Sequence, residues 1–385
     1  MRFLHTSDWH VGKTLRGRDR SDEHRAVLAE IAGIARDRAV DLVIVAGDLF
    51  DSAAPTPEAE RIVYRALLDL AEVAPVLVVS GNHDNDRRLA AVAPLLGLGR
   101  VTTRAHLAKP EEGGVFSFTT AGGERAQVAL LPWISQRFVV KAAALMSLDA
   151  SELPGEFAER WVRIVRTLTE GFSAGTVNVV AGHAMIQGGA LGGGERMAHT
   201  IFDYTVSANA FPAQAHYVAL GHLHRAQQLG AQPPVWYCGS PLQLDFGETA
   251  DRKCVLVVEA TPSTPATAEQ VPLTSGRALR RVAGTLADLH AAAGTTGDDF
   301  LQVLVHEQAR AGLNEEVRAL FGENAVDVRV HAPGARELGI EPRPHDGRSP
   351  HDLFADYLTE RSAEDERVLA LFDELMDEVH APGLA

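Results

Sequence analysis

Hydrophobic residues in the first two-thirds of the chain come in short unbroken runs, each closed by a glycine and a polar residue. They are LVIVAGD at 42–48, VLVVSGNH at 76–83, VNVVAGH at 177–183 and YVALGH at 217–222. A run without polar alternation predicts a strand covered on both faces. Between the first two runs the period changes. In PEAERIVYRALLDLAEV, residues 57–73, Ile62, Val63, Ala66, Leu67 and Leu70 recur at helical spacing behind Pro57, which suits a first helical turn. Strands alternating with such helices predict an α/β domain built of stacked layers.

Residues 261–267, TPSTPAT, are rich in Pro and Thr and lose periodicity, which predicts a linker. Beyond it, strand-like 277–282, helical 286–293, strand-like 300–306, helical 314–321 and strand-like 326–331 predict a small α/β module. A Pro/Gly-rich stretch at 332–350 leads to an acidic tail, where Ser349 and Pro350 read as the N-cap and first position of a helix. Phe354, Tyr357 and Leu358 share one face of it, and a second helix aligns Val368, Phe372, Leu375, Met376 and Val379. The expected organisation is a main domain at 1–262, a capping α/β domain at 270–335 and a helical partner-binding segment at 349–385. The Gly-rich 188–194 reads as a loop.

Chemistry concentrates where the apolar runs stop. Five segments carry it: Asp8-Trp9-His10, Gly47-Asp48, Gly81-Asn82-His83-Asp84, Gly182-His183 and Gly221-His222-Leu223-His224. In an α/β sheet, ligands bind in the crevice outside the carboxyl ends of the strands. Asp8 and His10 are two apart, as are His222 and His224, so an extended backbone would turn each pair to one face. The glycine ahead of Asp48, Asn82, His183 and His222 lets the chain turn sharply and come close to an ion. Carboxylates, imidazoles and an amide oxygen, with no thiolate, suit Mn²⁺, Fe²⁺ or Zn²⁺ at a reactive rather than a structural site. Asp8, His10, Asp48, Asn82, His183, His222 and His224 exceed the needs of one tetrahedral ion. Two ions about 3.5–4 Å apart would use them all, with a bridging carboxylate for which Asp48 is centrally placed. Taken singly, a strand-end Asp is more often a cap, and a lone His a packed or surface residue, as His106, His290 and His345 read here. The conjunction, each member behind a hydrophobic strand, outweighs that reading.

The series D-x-H, GD, GNH-D, H and GH-x-H resembles the calcineurin-like metallophosphoesterase superfamily. RFLHTSDWHVGKTL, VAGDLFDSAAP, VSGNHD, GHLH and YCGSPLQLDFGE more narrowly resemble its SbcD-type nuclease-subunit branch, counterpart of the meiotic-recombination nucleases of eukaryotes and archaea. The resemblance implies the metallophosphoesterase fold, a layered β-sandwich flanked by helices, with a small α/β capping domain and a C-terminal helical tail. It implies two divalent ions, Mn²⁺ preferred, with Mg²⁺, Fe²⁺ or Zn²⁺ as alternatives. Asp8, His10 and His224 would hold one, Asn82, His183 and His222 the other, with Asp48 between them. His83 matches the family's catalytic His, which faces the scissile phosphate without holding metal, and Asp84 the acid that orients and polarises it. Phosphodiester hydrolysis needs an activated water, shielding of the phosphate charge and help for the departing oxygen, the last supplied by a protonated His83. The implied activity is 3′–5′ exonuclease on duplex ends and endonuclease on single strands and hairpins, in DNA repair and recombination. Implied partners are DNA, a second copy of the chain docked through helices near 61–70 and 87–96, and an SbcC-type coiled-coil ATPase bound by the C-terminal helices.

Composition bears on where and how such a protein works. No apolar run approaches the ~20 residues of a membrane span, and Asp8 and His10 stand where a signal peptide would be apolar. A cytoplasmic, nucleoid-associated protein is the expectation. Cys238 and Cys254 alone are too few for a disulfide framework or a thiolate zinc site. Lys and Arg number 36 against 51 acids, a net charge of -15, which excludes holding nucleic acid by overall basicity. DNA phosphates would then meet a local patch drawn from Lys13, Arg16, Arg18, Arg20, Arg87 and Arg88, or a partner that clamps the duplex; otherwise these are solvated loop charges. Aromatics at 6% argue against a base-stacking platform. A free-standing phosphodiesterase for small substrates would need neither the module nor the apolar-faced tail. Against a metal-free scaffold stands the complete set of ligand types.

Overall fold

The apolar runs form buried strands that end close to their glycines, β7 and β8 running through theirs. In chain order the strands are β1 (Arg2–Thr6), β2 (Leu42–Val45), β3 (Val76–Val79), β4 (Val101–Arg104), β5 (Val115–Thr119) and β6 (Arg125–Leu131). There follow β7 (Val177–His183), β8 (Tyr217–Gly221), β9 (Gln227–Leu229), β10 (Val235–Tyr237), β11 (Cys254–Thr261) and β12 (Thr264–Pro272). The computed structural model describes residues 1–134, 153–195 and 205–331, and in the tail 354–355, 357–359, 365 and 367–372. Residues Met1–Pro333 form one compact unit and Gly334–Ala385 another.

Two six-stranded sheets result, in the orders β12-β11-β1-β2-β3-β4 and β5-β6-β7-β8-β10-β9. Strands β1 to β4 are mutually parallel, as are β6, β7, β8 and β10. Phe3, Ile44 and Leu77 of one sheet meet Val128, Val179 and Ala219 of the other in a largely apolar layer. The outer face of the first sheet is covered by α1 (Ser21–Asp37), α2 (Pro57–Val73) and α3 (Asp86–Leu98), through residues such as Ile31, Val63, Leu67 and Leu89. The second is covered by α4 (Leu153–Thr169), through Trp161, Val165 and Leu168. Burial on both faces is why these strands read as continuous Val/Ile/Leu runs. The expected α/β layering, a β-sandwich flanked by helices, is the observed one. Helix α2 begins as its sequence predicts, with Pro57 in the first turn and the Thr56 hydroxyl accepting from Ala59 N at 3.2 Å.

The linker expected at 261–267 is instead the turn and start of a hairpin. Strands β11 and β12 pair antiparallel from Cys254↔Pro272 to Thr261↔Thr264, which adds β12 to the edge of the first sheet. An edge strand tolerates Pro265 and Pro272 because half its backbone groups need no partner. The α/β module follows as β13 (Leu279–Gly284), α5 (Leu286–Ala292), β14 (Phe300–Val305), α6 (Leu313–Phe321) and β15 (Ala325–Val330), a parallel sheet in that strand order. Its own core is built from Leu289, Val303, Val305 and Val317. A separate cluster of Leu15 and Phe246 with Leu279, Phe300 and Val326 seats it on the first domain. In the tail, the Phe354 and Phe372 rings stack at 4.1 Å. Ser349, Pro350, Leu375, Met376 and Val379 lie outside the described residues. No helix among the described residues is long and apolar enough to cross a membrane.

One polar side chain spans the sandwich core. His5 on β1 lies 3.1 Å from the Tyr217 hydroxyl and 3.2 Å from the Leu220 carbonyl, both on β8. A carbonyl only accepts, so Nε2 donates to it and Nδ1 accepts from the tyrosine. Burial pushes the imidazole down to about 3, the Leu220 carbonyl opposing this in part. Below its ordinary value near 6.5 the unfolded chain takes up a proton that the folded chain refuses, so stability falls as pH drops from 6.5 toward 3. Between pH 6.5 and 5 this single group costs about 2 kcal/mol. Chemical denaturation of metal-free protein should show that loss in the wild type and a correspondingly smaller one in His5→Gln. Equal losses would exclude His5 as the source.

Candidate metal centre

Strands β1, β2, β3, β7 and β8 all end at one edge of the sandwich, and the candidate residues gather there from both sheets. The chain past β1 does not stay extended. Asp8 and His10 have φ of 52° and 45°, Asp48 has 51° and His222 has 110°, all in the left-handed region that non-glycine residues rarely adopt. The expectation that residue spacing along a strand would aim Asp8 with His10, and His222 with His224, is therefore corrected: the aim comes from turns beyond the strands. His183 alone is the last residue of a strand. Such strain persists only when neighbours over-determine it. Here Asp8 N donates to Gly47 O at 2.9 Å, His10 N to Asp48 O at 3.1 Å and His222 N to Asp8 Oδ1 at 3.0 Å.

Two glycines make the convergence possible. Gly47 has φ of 92°, and a Cβ there would run into His183 Nδ1; one on Gly81 would collide with the backbone and carboxylate of Asp48. Asp48 is the hub. Its Oδ1 accepts from His83 N at 2.8 Å, while Oδ2 lies 3.5 Å from both His10 Nε2 and His183 Nε2. The Asn82 amide oxygen is 2.9 Å from His183 Nε2 and 2.9 Å from His222 Nδ1. Asp8, His10 and His224 form one compact donor group, Asp8, Asp48 and His183 another, and His10, Asp48 and His83 a third. All the sequence-selected ligands thus meet, and His83 stands beside them.

The chemistry of this donor set fits divalent cations. Both ring nitrogens of His10 are buried without a hydrogen-bond partner among the described residues. Burial pushes Asp8 up to about 6, only partly relieved by His183 and His224, while the Asp48 charge raises it further. Burial would also raise Asp48, but His183 and His10 outweigh it and hold that carboxyl well below its usual range. Asp48 in turn outweighs the burial of His183 and lifts it to about 9. Buried like charges beside imidazoles gain most from a bound cation. Nδ1 of His183 donates to Ala46 O at 2.8 Å, which fixes its tautomer with Nε2 toward Asn82 and Asp48.

His83 is held differently from expectation. Its Nδ1 lies 2.8 Å from the Asp51 carbonyl. The Asp84 carboxylate accepts from Phe50 N at 3.1 Å and Gly81 N at 2.9 Å, so it ties two site loops together instead of orienting the His83 ring. Burial and the Asp48 charge push it up to about 7. Asp51 was not singled out in the sequence, although it lies inside the VAGDLFDSAAP motif. Trp133, which carries no sequence signal at all, stacks on the His222 ring at 5.0 Å and meets His183 edge-on at 5.9 Å.

The basic residues do not form a bare patch. Arg20 is buried against Glu23 and the Gln243 carbonyl, Lys13 pairs with Asp51, and Arg88 with Glu60. Arg16 reaches Asp245 and Asp327, and Arg18 reaches Glu323, so both tie the loop after His10 toward the β13–β15 module. Acids thus pair with five of the six cations considered for a local DNA patch, while Arg87 is exposed and, among the described residues, only its backbone N–H is held, by Asp86.

A model of the calcineurin-like phosphoesterase family matches residues 1–226, a stretch that contains all of the candidate ligands together with His83 and Asp84. The chain is 36% identical over 282 residues to the SbcD subunit of the SbcCD nuclease of Bacillus subtilis (strain 168), covering 72% of this chain and 71% of that one. It is 35% identical over 266 residues to the protein of the same name from Rhodobacter capsulatus, covering 64% of each. With the protein of the same name from Escherichia coli (strain K12) it shares 29% identity over 310 residues, 76% of this chain and 73% of that one. With the family match spanning the whole metal centre and relatives aligned across most of their length, the chain belongs to the calcineurin-like phosphoesterase family.

Proposed function

We propose that this chain is the metal-dependent nuclease subunit of an SbcCD-type complex, hydrolysing phosphodiester bonds of DNA in repair and recombination. The reading includes 3′–5′ exonuclease action on duplex ends and endonuclease action on single strands and hairpins. The observation that carries it is the approach of His10 Nε2 and His183 Nε2 from two donor groups to one oxygen of Asp48, each at 3.5 Å, in a chain aligned with proteins named as nuclease subunits. Asp8, His10 and His224 would hold one ion and Asn82, His183 and His222 the other, with Asp48 placed between them. When bound, a pair of divalent ions, Mn²⁺ in this reading, supplies water activation and neutralises phosphate charge. The chain's own contribution is geometric and protonic. The Asp51 carbonyl accepts the Nδ1–H of His83, which leaves Nε2 to carry the proton that the departing oxygen receives. Asp84 keeps the loops bearing Asp48 and His83 in register.

Partners follow from surfaces. Leu95 and Leu98 on α3 are 70% and 87% exposed, beside Leu68 on α2, an apolar patch suited to a second copy of the chain. Tyr357, Val368 and Leu371 are exposed in the tail, which suits helix-on-coiled-coil docking to an SbcC-type ATPase. That partner also supplies the cationic grip that the paired arginines lack. A cytoplasmic, nucleoid-associated location belongs to the same reading.

Purified chain with Mn²⁺ should degrade linear duplex from its 3′ ends and nick single strands, and cleave a small aryl phosphodiester poorly. Cleavage of the small ester alone would replace this reading with a small-substrate phosphodiesterase, and cleavage of neither would indicate a scaffold. Loss of residues 350–385 should abolish association with the ATPase and spare intrinsic cleavage. Light scattering showing a monomer at micromolar concentration would remove the dimer from the proposal.

A further inference from the structure

His224 is enclosed by two carboxylates from loops that the site assignment does not use. Glu248, fully buried, places Oε1 3.1 Å from His224 Nδ1. Its other oxygen accepts from Lys253 Nζ at 2.7 Å and Leu244 N at 3.0 Å. Lys253 also donates to His224 O and Ser240 Oγ, each at 2.9 Å. From the opposite side, Glu195 accepts from His224 N and from Gly192 N. The Gly-rich loop at 188–194 finds its purpose in this packing. A Cβ on Gly194 would collide with Glu248 Oε1 and approach His224 Nδ1 to 2.8 Å, and one on Gly193 would come within 3.0 Å of the Gly247 backbone.

We propose that Glu248 is a positioning residue for the metal centre: it holds His224 with the proton on Nδ1, so that the Nε2 lone pair is committed to the ion shared with Asp8 and His10. The proposal rests on the reading that His224 is a ligand. An imidazole ligates only through a nitrogen that carries no proton, so a fixed tautomer removes a competing state before the ion arrives. A carboxylate is needed here because every neighbour on both sides donates. Lys253 and Leu244 donate to one oxygen, and His224 Nδ1 to the other. An amide accepts on one side only. In Glu248→Gln the two donors on the Lys253 side outnumber the one on His224. The amide oxygen therefore turns to them, and its NH₂ faces Nδ1. His224 must then carry its proton on Nε2, where it blocks the ion.

The test reads the tautomer directly. In metal-free wild-type protein labelled with ¹⁵N-histidine, at a pH alkaline enough for the ring to be neutral, the His224 ring, assigned by its loss in His224→Asn, should show the Nδ1–H form. Glu248→Gln should shift it to Nε2–H, and Mn²⁺ titration should show one of two ions bound about 10–100-fold more weakly with the other unchanged. An Nε2–H form in the wild type overturns the proposal without recourse to any variant. So does a folded Glu248→Gln protein with a lower thermal midpoint but unchanged tautomer and Mn²⁺ affinities, the pattern of a purely structural residue. Wild-type protein that binds two Mn²⁺ ions but cleaves no DNA overturns the nuclease reading alone, because neither measurement here depends on turnover.

Discussion

Exchanging Asp48 for Asn should empty both metal positions and abolish phosphodiester cleavage, the largest effect of any single substitution in this chain. Asp48 Oδ1 accepts from His83 N, a bond that the Asn oxygen can keep, so the loop survives. Oδ2 is the atom 3.5 Å from both His10 Nε2 and His183 Nε2, and in Asn it becomes an NH₂. A donor cannot bridge two cations, and the buried site loses one negative charge. The loss of rate should exceed the about 10²–10⁴-fold of a missing general acid, since water activation and charge shielding go together. Elemental analysis after dialysis should fall from two ions per chain to none, with the thermal midpoint of the metal-free protein little changed. Retention of both ions would remove Asp48 from the bridge.

His83→Gln should keep both ions and lower the turnover of DNA cleavage by about 10²–10⁴-fold. Gln preserves a side-chain donor for the Asp51 carbonyl but has no group that titrates near neutrality. The outcome is informative because the geometry admits a second role. His83 shares a compact donor group with His10 and Asp48, so its ring is placed where a ligand could also stand. Metal content and rate must therefore be measured on the same folded preparation. An emptied metal position would make His83 a ligand; unchanged turnover would leave it without a chemical role.

The candidate ligands and their order were legible in the sequence because, Asp8 and His10 apart, each ends or follows a strand buried on both faces, and such strands leave an unbroken apolar run closing near a glycine. Helix α2 was legible because Thr56, Pro57 and the Ile62–Leu70 stripe agree on one period. The hairpin at 261–264 was not, since edge strands lose the apolar signal and admit proline, so composition there imitates a linker. Nor was the geometry of aim. Asp8, His10, Asp48 and His222 point inward through left-handed turns, whose cost is met by hydrogen bonds to residues tens or hundreds of positions away. The contacts that hold the ligands follow the same rule. Asp51 to His83, Glu248 to His224 and Asp84 to Phe50 are pairings between loops, and no local pattern records them. The fate of the arginines was decided the same way, because charge along a chain does not say which acid lies opposite each cation. By itself the sequence determined which strands are buried, which donors lie at or just beyond their ends, and that such donors suit divalent cations. Those properties depend on side-chain chemistry and period alone. Only the tertiary structure decided which donor faces which, because that depends on two sheets closing over a common edge.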